Sequence, residues 1–162
     1  MELSDAGVAF LKKWEGCVKR EGKHVVYKDS AGLPTIGYGH LLTKAELSSG
    51  KINEYDYRKN GLTEDQAESI FRFDTSLTVY RINKEIKVAE QAKFDALVSF
   101  AFNVGFSAFS NSTLLKVIRA KGTSEEITKQ FLRWVYAGGQ RIDGLENRRE
   151  AEAKLYTEGL YI

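Results

Sequence analysis

Three residues in the first quarter of the chain have the types and spacing for chemistry on an acetal: Glu15, Asp29 and Thr35. Asp29 and Thr35 stand six positions apart in the glycine-rich run Tyr27-Lys28-Asp29-Ser30-Ala31-Gly32-Leu33-Pro34-Thr35-Ile36-Gly37-Tyr38-Gly39-His40. Cleaving a glycosidic bond takes a proton at the leaving oxygen and negative charge or an activated water at the anomeric carbon. A helix-ending acid that faced a hairpin carrying a carboxylate and a hydroxyl across a cleft would supply both. Singly, each residue has an ordinary explanation: a surface acid, a turn aspartate accepting backbone hydrogen bonds, and a strand threonine. An acid at a helix C-terminus is mildly disfavoured by the helix dipole, which weighs toward function for Glu15.

The elements that must position these groups are legible in outline. Val8, Leu11 and Trp14 recur at helical spacing behind Ser4, a residue suited to capping, and Gly16 ends the run. Val25-Val26-Tyr27 and Thr35-Ile36-Gly37-Tyr38, separated by Asp29-Ser30-Ala31-Gly32 turn chemistry, predict a small antiparallel hairpin or sheet. A short helix follows near Thr43 to Ser48, then a polar stretch from Gly50 to Gly61 that reads as an exposed loop. Thr63-Glu64-Asp65-Gln66 forms a capping box opening one long helix through Ile86. The second half reads as all-helical: roughly Gln91 to Asn103, Ser112 to Ala120, Thr123 to Tyr136 with Thr123 and Glu126 as a capping box, and Leu145 to Tyr156.

This is the pattern of a mixed α+β protein, mostly helical, with two lobes in one folding unit. Residues 15–62 are the expected β-containing lobe, 1–14 with 87–162 the helical lobe, and 63–86 a linking helix. At 162 residues with 43% hydrophobic content, the chain can bury a real core without staples. Lys and Arg are interspersed with acids for a net charge of +2, which gives no nucleic-acid signature. No segment is apolar for long enough to span a membrane, and the N-terminus lacks the order of a secretory signal. The single Cys17 cannot form an internal bridge and reads as a small buried residue rather than a nucleophile. His24 and His40 with scattered acids make no metal signature, so neither metal nor cofactor is expected.

Several ordered motifs resemble the phage-type lysozymes, the family 24 glycoside hydrolases. They are Tyr27-Lys28-Asp29, Gly32 and Thr35 through Lys44; Phe94-Asp95-Ala96-Leu97-Val98-Ser99-Phe100-Ala101-Phe102-Asn103-Val104-Gly105; Phe109 to Ser112; Trp134; and Gly144-Leu145-Glu146-Asn147-Arg148-Arg149. The resemblance implies a two-lobed lysozyme-like fold and an endolysin that hydrolyses the β-1,4 bond between N-acetylmuramic acid and N-acetylglucosamine in peptidoglycan. It implies Glu15 as general acid, with Asp29 and Thr35 holding a water on the opposite sugar face. Leu41, Phe102 and Ser112 match positions that line the sugar cleft, and Asn103 could add an amide hydrogen bond, although Phe102 could equally be core. Arg148 could pair with Glu15 or be a solvated residue beside Arg149.

The family spaces its Glu and Asp more closely than the thirteen residues that intervene here, which marks an insertion between Cys17 and Tyr27. Glu21 is therefore a competing acid, though it lies in a polar run and lacks the helix-ending pattern. Inverting hydrolysis is the expected reaction. Lytic transglycosylation and a non-catalytic glycan-binding relic are the rivals. The resemblance further implies a monomer that acts on glycan strands, stays in the host bacterial cytoplasm without stable membrane insertion, and reaches the wall after holin-dependent release.

Overall fold

The computed structural model describes residues 1–162, which divide into two compact units: Lys12–Ser76, and Met1–Leu11 together with Leu77–Ile162. Helix α1, Asp5–Trp14, begins under the Ser4 hydroxyl, which accepts the Gly7 amide at 2.9 Å. Asp5 in its first turn and Lys12 and Lys13 in its last complement the helix dipole.

In the Lys12–Ser76 unit, β1 (Lys19–Arg20) pairs with β2 (Lys23–His24) through a turn at Glu21 and Gly22. Both turn residues have positive φ, 52° and 78°, the conformation whose twist suits a two-residue hairpin. This hairpin occupies the stretch between Cys17 and Tyr27 where the family resemblance suggests an insertion. Next, β3 (Tyr27–Lys28), β4 (Pro34–Ile36) and β5 (His40–Leu41) form an antiparallel sheet in that order, with Thr35 opposite both Tyr27 and Leu41. The anticipated second strand thus ends at Ile36, and Gly37, Tyr38 and Gly39 turn into a third. Gly37 and Gly39 sit at φ 61° and 80°, which side chains with a Cβ rarely adopt.

Helix α2, Lys44–Ser49, opens on a Thr43–Glu46 capping box. The segment from Gly50 to Gly61 is not the exposed loop its polarity suggests. It contains an Ile52–Tyr55 bridge and the short helix α3, Tyr57–Asn60, and it buries Ile52 and Tyr57. These two join Ile36, Leu42, Leu62, Ala67 and Ile70 in the core of this unit. Two anchors five positions apart in a polar background have no periodicity to betray them. Helix α4, Glu64–Glu85, runs 22 residues from the expected Thr63–Gln66 box, whose two reciprocal bonds measure 3.0 and 3.2 Å.

The second unit is built around α5, Gln91–Val104, in which every residue from Phe94 to Ala101 is buried. A short α6, Phe106–Ser110, precedes α7 (Thr113–Arg119) and α8 (Ser124–Leu132). The predicted helix to Tyr136 stops at Leu132, so the second half is not all-helical. There β6 (Tyr136–Ala137) and β7 (Gln140–Arg141) form a hairpin around Gly138 and Gly139, whose φ values of 58° and 80° explain the turn. Helix α9, Asp143–Glu158, completes the unit and packs on α5 and α8. Phe100 makes edge contacts with Phe109, Phe131 and Trp134 at centroid distances of 6.3, 5.4 and 5.5 Å.

A buried carboxylate organises the chain ends. Asp95 accepts from Ser4, from Gln91 at 2.8 Å and from the Tyr161 hydroxyl at 2.7 Å. Gly7 makes this possible, since a Cβ there would lie 2.6 Å from the Asp95 carboxyl carbon.

Candidate active site

Helix α1 ends at Trp14, which leaves Glu15 in the first non-helical position, half-buried. Its Oε2 lies against Gly39, where an added Cβ would approach to 3.3 Å. The helix-end acid therefore reaches the turn that follows Thr35. The Tyr27 hydroxyl donates to the Gly16 carbonyl at 2.9 Å and ties the post-helix segment to β3. Burial pushes the Tyr27 phenol up, opposed by the Gly39 backbone amide and reinforced by the negative charges of Cys17, Glu15 and Asp29. One phenol thus senses both Glu15 and Asp29.

Asp29 leaves the sheet at the end of β3. Its Oδ1 accepts the Ala31 and Leu33 amides, each at 2.9 Å, so the carboxylate is aimed by its own turn. Thr35 is buried in the central strand, and its hydroxyl donates to the Leu33 carbonyl at 3.0 Å. With its only proton committed, that oxygen is left as an acceptor for a neighbouring donor. Cross-strand pairing puts Tyr27, Thr35 and Leu41 in one row on one face of the sheet, and Leu41 is 50% exposed. Glu21, in contrast, is exposed at the tip of the β1–β2 turn.

Glu64, the first residue of α4, holds this arrangement together. It accepts from Lys12 at 3.1 Å, Lys19 at 3.0 Å, His24 at 2.9 Å and the Tyr38 hydroxyl at 2.6 Å. Burial alone would raise its carboxyl, but hydrogen bonds from Tyr38, His24, Lys19 and Lys12 outweigh that and hold it well below the usual carboxylate range. The end of α1, the β1–β2 hairpin and the Gly37–Gly39 turn are all fastened to one carboxylate. In the sequence Glu64 stands only as part of a capping box, and nothing local marks it as a hub.

His40 anchors the last strand. Its Nδ1 meets Asp74 at 2.8 Å and its Nε2 meets Glu46 at 3.0 Å. The Asp74 hydrogen bond, opposed by burial and aided by Glu46, lifts the imidazole to about 9. The two carboxylates lie on opposite ring nitrogens, so they do not converge, and no three His, Cys, Asp or Glu side chains are grouped to hold a metal.

The remaining site candidates belong to the helical unit. Arg148 is not solvated: its Nε meets Glu152 at 3.0 Å and its Nη2 donates to the Ser99 carbonyl at 3.2 Å. Arg149 is fully buried as well, 3.1 Å from Glu152 and over the Phe100 ring at 5.0 Å, and burial brings its guanidinium down to about 10. Asn103 accepts from Arg149. The Ser112 hydroxyl caps α7, accepting the Leu115 amide at 3.1 Å and donating to the Phe109 carbonyl at 2.6 Å. Phe102 is half-buried. Cys17, expected inside, is exposed.

Residues 12–152 match the phage lysozyme family. The chain is 36% identical over 160 residues to an endolysin of Bacillus phage PZA, covering 98% of this chain and 56% of that protein. It thus spans little more than half the length of that relative. Among solved structures, the endolysin of Escherichia coli O157:H7 phage FAHEc1 superposes with a TM-score of 0.79 at 34% identity, covering 100% of this chain and 97% of the other. The muramidase domain of SpmX from Asticaccaulis excentricus gives 0.73 at 28% identity, over 96% and 97% of the two chains. A helix-ending Glu, a hairpin Asp and Thr, and this span of similarity have one common account: the chain belongs to the phage lysozyme family.

Proposed function

We propose that the chain is a muramidase of the endolysin type, cutting the β-1,4 bond between N-acetylmuramic acid and N-acetylglucosamine in peptidoglycan. Residues 1–162 act as a single lysozyme-like domain in this reading. Glu15 protonates the leaving oxygen, and Asp29 with Thr35 orients the attacking water. The observation that carries the proposal is the nearness of the Glu15 carboxyl to Gly39, whose added Cβ would lie 3.3 Å from it, in the turn directly after the strand that bears Thr35. A water that donates to Thr35 Oγ1 and to the Asp29 carboxylate has a lone pair left for the anomeric carbon, which is the requirement of direct inversion. The mechanism draws only on carboxyl and hydroxyl groups. Leu41, Phe102, Asn103 and Ser112 are assigned to holding the glycan strand, and Arg148 to supporting the helical unit through Glu152.

Purified cell walls incubated with the chain should lose turbidity, and Glu15→Gln should abolish that loss while Glu21→Gln retains it. Loss of activity in Glu21→Gln with activity kept in Glu15→Gln would reassign the acid. Proton NMR of the first-formed product tests inversion, because a retained anomeric configuration would refute the water-holding roles. Mass spectrometry separates hydrolysis from transglycosylation, since only hydrolysis adds the mass of water to the product. The enzyme would act as a monomer from the host cytoplasm, reaching the wall through a separate membrane pore of the holin type. No helix of the chain is long and apolar enough to cross a membrane.

A further inference from the structure

The β1–β2 hairpin faces α3 across an open cavity of about 690 Å³, within the range of organic-ligand sites and larger than a lone ion requires. Arg20 and Lys23 line it from the hairpin, Arg58 and Lys59 from α3, and Glu21 is the single acid among them. None of the four cations is ion-paired. Arg58 is held by donating to the Leu47 carbonyl, while Arg20, Lys23 and Lys59 extend from exposed positions. The fold forces this crowding. The His24 and Leu62 backbones bond reciprocally at 2.9 Å, and Gly61, lacking a Cβ, lets the hairpin close to within 2.9 Å of where one would stand. Lys23 is thereby packed next to the Lys59–Gly61 segment. Gathered like charges with so little compensation repel one another, and an anion seated among them removes that repulsion. Val25, Val26 and Leu47 add apolar surface to the lining, with Val26 44% exposed, and Asn60 adds an uncharged amide.

We propose that this cavity binds a flexible phosphodiester polymer of the bacterial wall, a chain of phosphates joined by short polyol linkers, and so tethers the enzyme beside its glycan. The identity of the polymer rests on the muramidase reading; the anion site does not. Two guanidinium and two ammonium groups suit repeating phosphates, with guanidinium giving bidentate bonds. Valine and leucine surfaces suit the carbon linkers between them. Nucleic acid is disfavoured because the one aromatic ring of the lining, Tyr57, is buried at 4% exposure and offers no face for a base to stack on.

The test is calorimetric titration of the full chain with poly(glycerol phosphate), and in parallel with inorganic phosphate, polyglutamate and oligothymidylate. The polymer should bind best, and R20Q/K23Q/K59Q should weaken it at least about tenfold at low salt. That triple variant should also flatten the dependence of log K on log salt by about 2 to 3. Amide chemical-shift changes in the unsubstituted chain should centre on residues 19–26 and 57–61, a readout that does not depend on the variant folding. Unchanged affinity in the triple variant, shifts elsewhere, or equal affinity for polyglutamate, oligothymidylate or inorganic phosphate would overturn the assignment. Walls chemically stripped of polymer keep the two readings apart. If they are cut while the isolated polymer fails to bind, the tether is wrong and the muramidase reading stands; binding without cutting of any wall would do the opposite.

Discussion

A hydroxyl and a carboxylate that hold a water by accepting its hydrogen bonds are marked by what else they bond. The Thr35 hydroxyl has spent its proton on Leu33, and Asp29 has committed one oxygen to two amides of its own turn. Thr35→Val keeps the shape of the buried strand and removes the acceptor. We expect wall-lysis activity to fall at least about tenfold with little change in melting temperature. Glu15→Gln should lower activity by about 10²–10⁴-fold, the usual worth of a general acid. His40 supplies a pH prediction. Its pKa is raised from 6.5 to about 9, so its stabilisation is fully present below pH 6.5 and is lost as pH rises through about 9. Denaturant midpoints of the unsubstituted chain and His40→Gln should therefore differ most below pH 6.5, by about 2 kcal/mol after allowance for partial exposure. The gap should close toward pH 9.

At the scale of elements, turns and caps decide where the site residues go. Gly61 has φ 65°, and a Cβ there would sit 2.9 Å from the His24 carbonyl oxygen. Gly61→Ala combines backbone strain with backbone overlap, so we expect a cost of more than about 1 kcal/mol, read by thermal unfolding. The β1–β2 hairpin should detach first, visible as faster amide exchange at His24 and Leu62, whose mutual bonds hold it. Caps were legible in advance because they are short-range: Ser4, the Thr63–Gln66 box and the Thr123–Glu126 box all fall where side-chain spacing put them. The Gly138–Gly139 hairpin is invisible in the sequence because its strands are two residues each, too short for alternation to register against the helical pattern before them. In α3 and the Ile52–Tyr55 bridge, burial comes from packing on Ile36 and Leu62, a cause that lies outside the segment itself.

For the whole molecule, local signals fixed the class: an α+β chain rich in helix, the order of its main helices, and a Glu, Asp and Thr in the region where a glycosidase would need them. Tertiary structure decided how those groups are held. Glu64 gathers Lys12, Lys19, His24 and Tyr38 from separate elements, and Glu152 draws Arg148 and Arg149 into the core of the helical unit, a partner the sequence did not reveal. Removing Glu152 takes away the carboxylate that both buried guanidinium groups share, so Glu152→Ala should destabilise by about 3–5 kcal/mol in urea denaturation. The division has a physical reason. Caps, turn glycines and helical periodicity act over a few neighbouring residues and are written in local order. The burial of a charge and the convergence of its partners depend on residues up to tens of positions apart, such as Lys12 with Glu64 and Ser99 with Glu152, which only the folded chain brings together.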